Sequence, residues 1–273
     1  MSAVLEGELT TLAFCWRLER RDGATIGFTS HDRDMTIGGL VYRAAPGMAP
    51  SAIELSDGFS ADTLSVSGAL AGAAIAGEDL LAGRWDGAAV RLFLADWSDP
   101  AAPPVALARG ELGEVRLRGA GFETELLGPT AMLERPAVEE TSPECRAALG
   151  DRRCRVDMAG RVRIVRVAAV TDETVLEVSG AAVGDNLYAY GRLRWIGGAN
   201  SGLEGAILHS QGAVLTLREA PAFAVAVGDL VEISEGCDKR FSTCTGRFGN
   251  GLNFRGEPHL PGMDLLTRYP GAS

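Results

Sequence analysis

Short runs of alternating apolar and polar residues, separated by turn-forming residues, restrict the fold of this chain most strongly. Residues 12–18 alternate between large apolar and smaller or polar side chains, as expected of a half-buried strand. The sequence Arg21-Asp22-Gly23 that follows is typical of a hairpin turn. Helix signals are confined to about one turn each, at 78–82 and 130–134. The pattern predicts a mainly β protein with two β-rich, barrel- or sandwich-like domains and a few short helices.

The other predicted strands fall into two groups, on either side of a polar linker at 139–143. The first group covers 25–29, 40–43, 63–67, 90–94, 110–117 and 122–127. The second group covers 162–170, 174–178, 187–196, 206–208, 214–217 and 230–233. Because the chain changes character at the linker, we expect a first domain at 1–136 and a second at 137–273.

The charge balance limits the classes of partner. The chain has 36 acidic and 26 basic residues, which gives a formal net charge of -10. This balance argues against a protein that holds nucleic acid through phosphate contacts, but it does not exclude one that nucleic acid slides past. With 46% hydrophobic residues the chain can bury a large core. No stretch approaches the ~20 apolar residues of a membrane span.

Four of the five cysteines form two close pairs at the two ends of the second predicted domain. Eight residues separate Cys145 from Cys154, six separate Cys237 from Cys244, and 82 lie between the pairs. An intervening β domain can bring two such pairs together, and we therefore expect a four-thiolate site. Helix-start residues predict that Cys145 lies in the first turn of a short helix, where the helix dipole favours a thiolate. A helix over 236–245 would place the second pair on one face.

The spacing of the cysteines leaves the occupant of this site open. Two disulfides are possible, but nothing marks the chain as secreted, and cytosolic thiols stay reduced. Structural zinc suits four cysteines but usually uses knuckles with about two to four intervening residues. An iron–sulfur cluster tolerates wider spacing. Free buried cysteines are the fourth interpretation.

Basic residues concentrate near the four cysteines, and we expect their charges to offset those of the thiolates. They are Arg146, Arg152, Arg153, Arg155, Lys239, Arg240, Arg247 and Arg255. The alternative is that they are ordinary solvated side chains on loops.

Three further features have simpler interpretations. Cys15 falls on the opposite strand face from Phe14 and Trp16, which predicts a packing thiol, at a subunit contact. The segment 31–34 (His-Asp-Arg-Asp) is better explained as a polar turn knitted by Asp–Arg pairs than as a metal site. A nucleophilic pair of Cys237 or Cys244 with His259 would indicate a cysteine peptidase. Ligation explains the paired cysteines better.

The cysteine segments resemble those of a phage-tail family. Residues 145–157 are similar to its C-x-x-x-L-G-D-x-R-C-x-V-D run, and 236–241, 247–256 and 258–262 look like its C-terminal signature. Segments 27–34, 66–70 and 79–87 match as well. The family is the tail-tip hub of long-tailed phages and phage-like gene transfer agents. The C-terminal half of this chain is similar to the minor tail protein L of lambdoid phages.

The resemblance implies a structural hub protein of the tail tip, or baseplate, and not an enzyme. It implies a homotrimer, a ring that joins a distal tail ring protein on the tube side to a central fibre or spike (megatron-like) protein. A tail-tip peptidase is a further expected partner, and DNA passes through the lumen. We therefore expect a virion structural protein in a phage-like tail assembled in the bacterial cytoplasm.

The resemblance also implies an iron–sulfur site. Its four ligand positions correspond here to Cys145, Cys154, Cys237 and Cys244. The expected cofactor is a 4Fe-4S cluster, with zinc as the alternative metal. The alternative function is a tail-tip enzyme, either a cysteine peptidase or a metal-dependent cell-wall hydrolase.

Overall fold

A computed structural model of the chain describes residues 11–45, 49–50, 63–69, 75–118, 121–128, 138–180 and 184–260. The chain divides into two compact units, Met1–Ala137 and Val138–Ser273. The structure is mainly β with few short helices, which confirms the predicted fold class. The predicted helix at 130–134 lies outside the described residues.

The first unit contains a single sheet, with a short helix between two of its strands. The strands are β1 (Leu12–Glu19), β2 (Thr25–Thr29), β3 (Met35–Ile37), β4 (Leu40–Ala44), β5 (Ala49–Pro50), β6 (Thr63–Ala69), β7 (Ala89–Asp96), β8 (Val105–Arg118) and β9 (Gly121–Leu127), and helix α1 is Gly77–Leu81. Within the described residues they pair in the order β3-β4-β2-β1-β7-β8-β9-β6-β5. The two edge strands, β3 and β5, have only three and two residues, which limits edge pairing with other chains.

Strand β1 is buried on both faces. On one face Trp16 enters the larger core of the unit, and on the other Cys15 packs with Met35 and Tyr42. The Cys15 thiol is fully buried and donates a hydrogen bond of 3.6 Å to the Thr29 hydroxyl. The prediction of a packing thiol is confirmed. The expected subunit contact is wrong, because this side chain has no exposed surface.

Two predicted turns of the first unit take the expected places. Gly23 has φ +88° and its N–H donates to the Arg20 carbonyl at 2.9 Å, which closes the hairpin between β1 and β2. In the segment 31–34 the His31 ring accepts the Arg33 N–H at 3.1 Å, and the Asp34 carboxylate accepts the Ala44 N–H at 2.8 Å. Side-chain bonds to the backbone therefore knit this polar turn, in place of the expected Asp–Arg pairs.

The second unit contains a closed six-stranded barrel. Its strands are β10 (Val162–Asp172), β11 (Val175–Ser179), β12 (Arg192–Trp195), β13 (Glu204–Gln211), β14 (Val214–Leu217) and β15 (Leu230–Ser234). They pair in the order β10-β11-β14-β13-β12-β15, and β15 closes the barrel against β10. Inward side chains such as Leu193, Ile207 and Ile233 are fully buried.

One predicted strand of the barrel is shorter than expected. Residues 187–191 form turns, and β12 begins only at Arg192. Asn186 and Tyr190 have positive φ values of 54° and 61°, which extended strands do not accommodate.

The pairing of β10 with β15 determines where the cysteines lie. The two strands are antiparallel, with Val162 opposite Ser234. The segment before β10 and the segment after β15 therefore meet at the same end of the barrel. Beyond β15 the chain forms helix α2 (Phe241–Gly246) and a 3-10 turn at Gly251–Asn253. None of the described helices has the length and apolar character needed to cross a lipid bilayer.

Candidate metal centre

The two cysteine pairs come together at this end of the barrel. The Cys145 N–H donates to the Lys239 carbonyl at 2.9 Å, and the Arg255 N–H lies 3.4 Å from Cys145 Sγ. Burial raises the pKa of Cys244, and so do the nearby thiols of Cys145, Cys237 and Cys154. All four cysteines are free of disulfides.

Cys145 does not lie in a helix, so the predicted helix dipole at this thiol is absent. Residues 141–150 form bends and turns, and the Ser142 hydroxyl accepts the Glu144 N–H at 3.1 Å in a local turn. The first pair is instead shaped by Asp151, whose carboxylate accepts the N–H groups of Arg153 at 2.8 Å and Cys154 at 2.6 Å. These bonds, the one from Cys154 foremost, hold the pKa of Asp151 below its usual range.

The second pair is split by the start of a helix. Helix α2 begins at Phe241, so Cys244 lies in it and Cys237 precedes it, and the predicted helix over 236–245 is wrong in its first half. Burial raises the pKa of Cys237, while a hydrogen bond from the backbone of Lys239 opposes this rise. Lys239 has φ +64°, a backbone conformation that residues other than glycine seldom adopt.

Gly236 follows β15 and allows the chain there to approach the backbone of residues 189–191 closely. A Cβ atom at this position would lie 2.0 Å from the Ala189 carbonyl oxygen and 2.1 Å from the Gly191 nitrogen. Only glycine fits there without movement of one of the two segments. The position of Cys237 is therefore coupled to the turn at 187–191.

Asn250 is a residue of this site that the sequence does not single out as one. Its glycine neighbours indicate only a tight turn, and Gly249 does have φ +58°. In addition, the Asn250 side chain donates to the Cys154 carbonyl at 2.6 Å, and its N–H donates to the Cys244 carbonyl at 2.9 Å. Asn250 thus joins one cysteine of each pair.

Several of the basic residues near the thiols form specific ion pairs. Arg146 makes two bonds to Glu257, at 2.7 and 2.9 Å, and so joins the first cysteine segment to the tail. This contact holds the pKa of Glu257 at about 2. Arg247 donates to Glu235 at 2.8 Å, and Arg161 donates to the same carboxylate at 2.6 Å. The interpretation of the whole group as solvated loop residues is therefore wrong for Arg146 and Arg247.

The donor set consists of four thiols, which both structural zinc and iron–sulfur clusters accept as thiolates. A tetrahedral zinc site with Zn–S bonds of about 2.3 Å needs its sulfurs about 3.8 Å apart. Within the described residues, no three or more His, Cys, Asp or Glu side chains form a group that could hold a metal ion. A polynuclear cluster spreads its thiolates further apart, and N–H groups near sulfur are typical of its surroundings. N–H groups of Arg255 and Asn250 lie near the sulfurs of Cys145 and Cys154.

A cleft of about 370 Å³ lies beside the second cysteine pair. Its lining includes Asp185, Tyr190, His209, Asp238, Thr243 and Arg247. In the described part of the chain no hydrogen bond joins any of the four thiols to His209 or His259.

Comparisons with known proteins agree on one class of protein. A family model described as baseplate hub protein, N-terminal attachment domain, matches residues 1–157. A second, described as phage conserved hypothetical protein BR0599, matches residues 186–264. Each of these ranges contains one cysteine pair.

A solved structure matches almost the whole chain. A chain of the virion of a native gene transfer agent (GTA) particle is 40% identical, with a TM-score of 0.85. The match covers 99% of this chain and 95% of that chain. No curated protein matches the sequence.

Proposed function

Because the chain belongs to the baseplate hub protein family, we propose that it is a structural protein of the tail tip of a phage-like particle or gene transfer agent. The resemblance that the sequence motifs indicated is thereby confirmed. The observation that carries the proposal is the similarity to a chain of a GTA virion, at 40% identity over 99% of this chain. Assembly takes place in the bacterial cytoplasm.

The proposed assembly is a ring of three copies. Closed rings use heterologous, head-to-tail interfaces, and the short edge strands β3 and β5 favour contacts other than open-ended sheet extension. The ring lies between the distal tail ring protein and the central fibre or spike, with a tail-tip peptidase as a further neighbour. A reconstruction of the particle tests this: three copies are expected, and one or six would contradict it.

The proposed lumen lets DNA pass without holding it. Duplex DNA carries about one negative charge per 1.7 Å, so an acidic wall repels it weakly and a basic wall would retain it. The net charge of -10 supports an acidic wall. We propose that Glu54, Asp57, Asp62, Glu78 and Asp79 contribute to this wall or to the outer surface. Glu78 is exposed, Asp79 is paired with Arg84 at 2.6 Å, and the other three lie outside the described residues. A ring structure whose lumen is lined mostly by arginine would contradict the proposal.

The four-thiol site is proposed to hold a 4Fe-4S cluster through Cys145, Cys154, Cys237 and Cys244. A bound cluster would cross-link the segment that precedes the barrel in the sequence to the segment that follows it, and it could carry an electron. Anaerobic purification followed by iron, sulfide and zinc analysis tests the assignment. Iron and sulfide with a brown colour are expected. Zinc alone would overturn the cluster, and a metal-free protein would overturn the site.

Serine variants of the cysteines test whether the bound group stabilises the fold. Metal-binding free energy becomes folding free energy when the site does not exist in the unfolded chain. Cys145→Ser, Cys154→Ser, Cys237→Ser and Cys244→Ser should each lower the melting temperature of the second unit and block tail assembly. Cys15→Ser is the control and should be mild, because serine can keep the hydrogen bond to Thr29. Equal behaviour of all five variants would contradict the proposal.

A further inference from the structure

The four thiols of the candidate site are not equivalent. Cys154 and Cys244 are buried, with exposed fractions of 8% and 7%, whereas Cys145 and Cys237 are half-buried. The buried two come from different pairs and are 90 residues apart in the sequence. A connection between the Cys154 and Cys244 segments is therefore needed to keep the two buried thiols together.

Asn250 provides that connection through both its backbone and its side chain. Its N–H donates to the Cys244 carbonyl at 2.9 Å, and its own carbonyl accepts the Cys244 thiol at 3.4 Å. Its side-chain amide donates to the Cys154 carbonyl at 2.6 Å and lies 3.7 Å from Cys154 Sγ. The bond from the Cys244 thiol requires a protonated sulfur, whereas the amide can donate to Cys154 in either protonation state.

The orientation of the Asn250 amide is fixed by a second asparagine. Asn253 Nδ2 donates to Asn250 Oδ1 at 2.7 Å. The oxygen end of the Asn250 amide is thereby occupied, and the NH2 end faces Cys154. The 3-10 turn at Gly251–Asn253 holds the two asparagines in this relation, since the Asn253 N–H also donates to the Asn250 carbonyl at 3.0 Å.

We propose that Asn250 is a positioning residue that fixes the buried thiols and directs an N–H at Cys154 Sγ, so that it raises the reduction potential of the group bound there. This rests on the proposed iron–sulfur site. Reduction adds negative charge to a cluster, and an N–H aimed at a ligand sulfur stabilises the reduced form more than the oxidised form. The same contact holds Cys154 in place, so its loss should also weaken metal binding.

Two variants and one control test this on the full-length protein, purified anaerobically. Asn250→Ala removes the amide, and Asn253→Ala leaves the amide but frees it to rotate. Leu252→Ala is the control, because Leu252 lies in the same turn with an exposed fraction of 100%. The measurements are the reduction potential, by spectroelectrochemical titration, and iron release to a chelator.

The Asn250→Ala protein should have a more negative potential than the wild type, and its metal affinity should fall about 10–100-fold. Asn253→Ala should shift the potential in the same direction by less, and Leu252→Ala should not shift it. An unchanged potential in Asn250→Ala overturns the inference. If that variant does not fold or take up iron, an unchanged potential in Asn253→Ala overturns it. A wild-type protein that binds no iron overturns the proposed site and this inference together.

Discussion

Replacement of Gly236 by alanine tests whether close backbone contact positions Cys237. A Cβ atom there would lie 2.0 Å from the Ala189 carbonyl oxygen, 2.1 Å from the Gly191 nitrogen and 2.2 Å from the Tyr190 carbonyl carbon. All three atoms belong to the backbone, so no change of rotamer relieves the overlap. Either the end of β15 or the turn at 187–191 must move.

Substitutions that overpack a buried site give an estimate of the free-energy cost of this movement. Extra methylene groups in well-packed sites cost about 1–3 kcal/mol, and contacts this short against backbone put Gly236→Ala at about 3 kcal/mol. In a domain of this size, 1 kcal/mol shifts the melting temperature by roughly 4 °C. We therefore expect the unfolding transition of the second unit to fall by about 12 °C.

Calorimetric unfolding of Gly236→Ala and Gly246→Ala measures the effect against a matched control. At Gly246, the last residue of α2, a Cβ atom would meet no other atom within 4 Å, so alanine fits there. Alanine is also the better helix former by about 1 kcal/mol, so this variant should be as stable as the wild type or slightly more stable. If Gly236→Ala melts within about 2 °C of the control, the reasoning is refuted.

Two other changes have expected outcomes. The hydrogen bonds from Arg146 lower the pKa of Glu257 from 4.5 to about 2 in the folded protein. The ionised Glu257 therefore stabilises the fold above about pH 4.5, and this contribution is lost as the carboxylate takes up a proton. Acidification from about pH 4.5 to about pH 2 should destabilise the second unit. Arg146→Ala should flatten that part of the curve of melting temperature against pH, and an unchanged slope would contradict the assignment. Leu193→Ala, at the fully buried centre of the barrel, should lower the free energy of unfolding by about 2–5 kcal/mol in urea titration. The exposed Leu252→Ala should not change it, and similar values for the two would show that the barrel interior is misassigned.

The strands were predictable because alternation with period two is a local property of the sequence. Residues 12–18 and the barrel strands show it, and their positions in the structure agree to within a few residues. The exception is 187–191, where apolar residues suggested a strand. The positive φ of Tyr190 and the contact of Gly191 with the Ser234 carbonyl, where a Cβ would lie at 2.0 Å, interrupt it. That interruption depends on β15, which a local pattern does not include.

The details of the candidate site were less predictable because their partners are remote in sequence. Ser142-Pro143 resembles a helix start, but the Cys145 N–H, which a Ser142 cap would accept in a helix, donates to the Lys239 carbonyl at 2.9 Å. The local pattern at Asn250 indicated a turn correctly. Its side-chain amide donates to the carbonyl of Cys154, 96 residues away, and no nearby residue in the sequence points to that contact.

One cysteine pair precedes the barrel strands in the sequence and the other follows them, so the two pairs are synthesised at different times. Cys154 leaves the ribosome ahead of Cys237, with 82 residues between them. At about 5–20 residues per second, that gap corresponds to roughly 4–16 s. The two pairs meet where β15 pairs with β10, so the proposed cluster could engage all four thiols only after the barrel has closed.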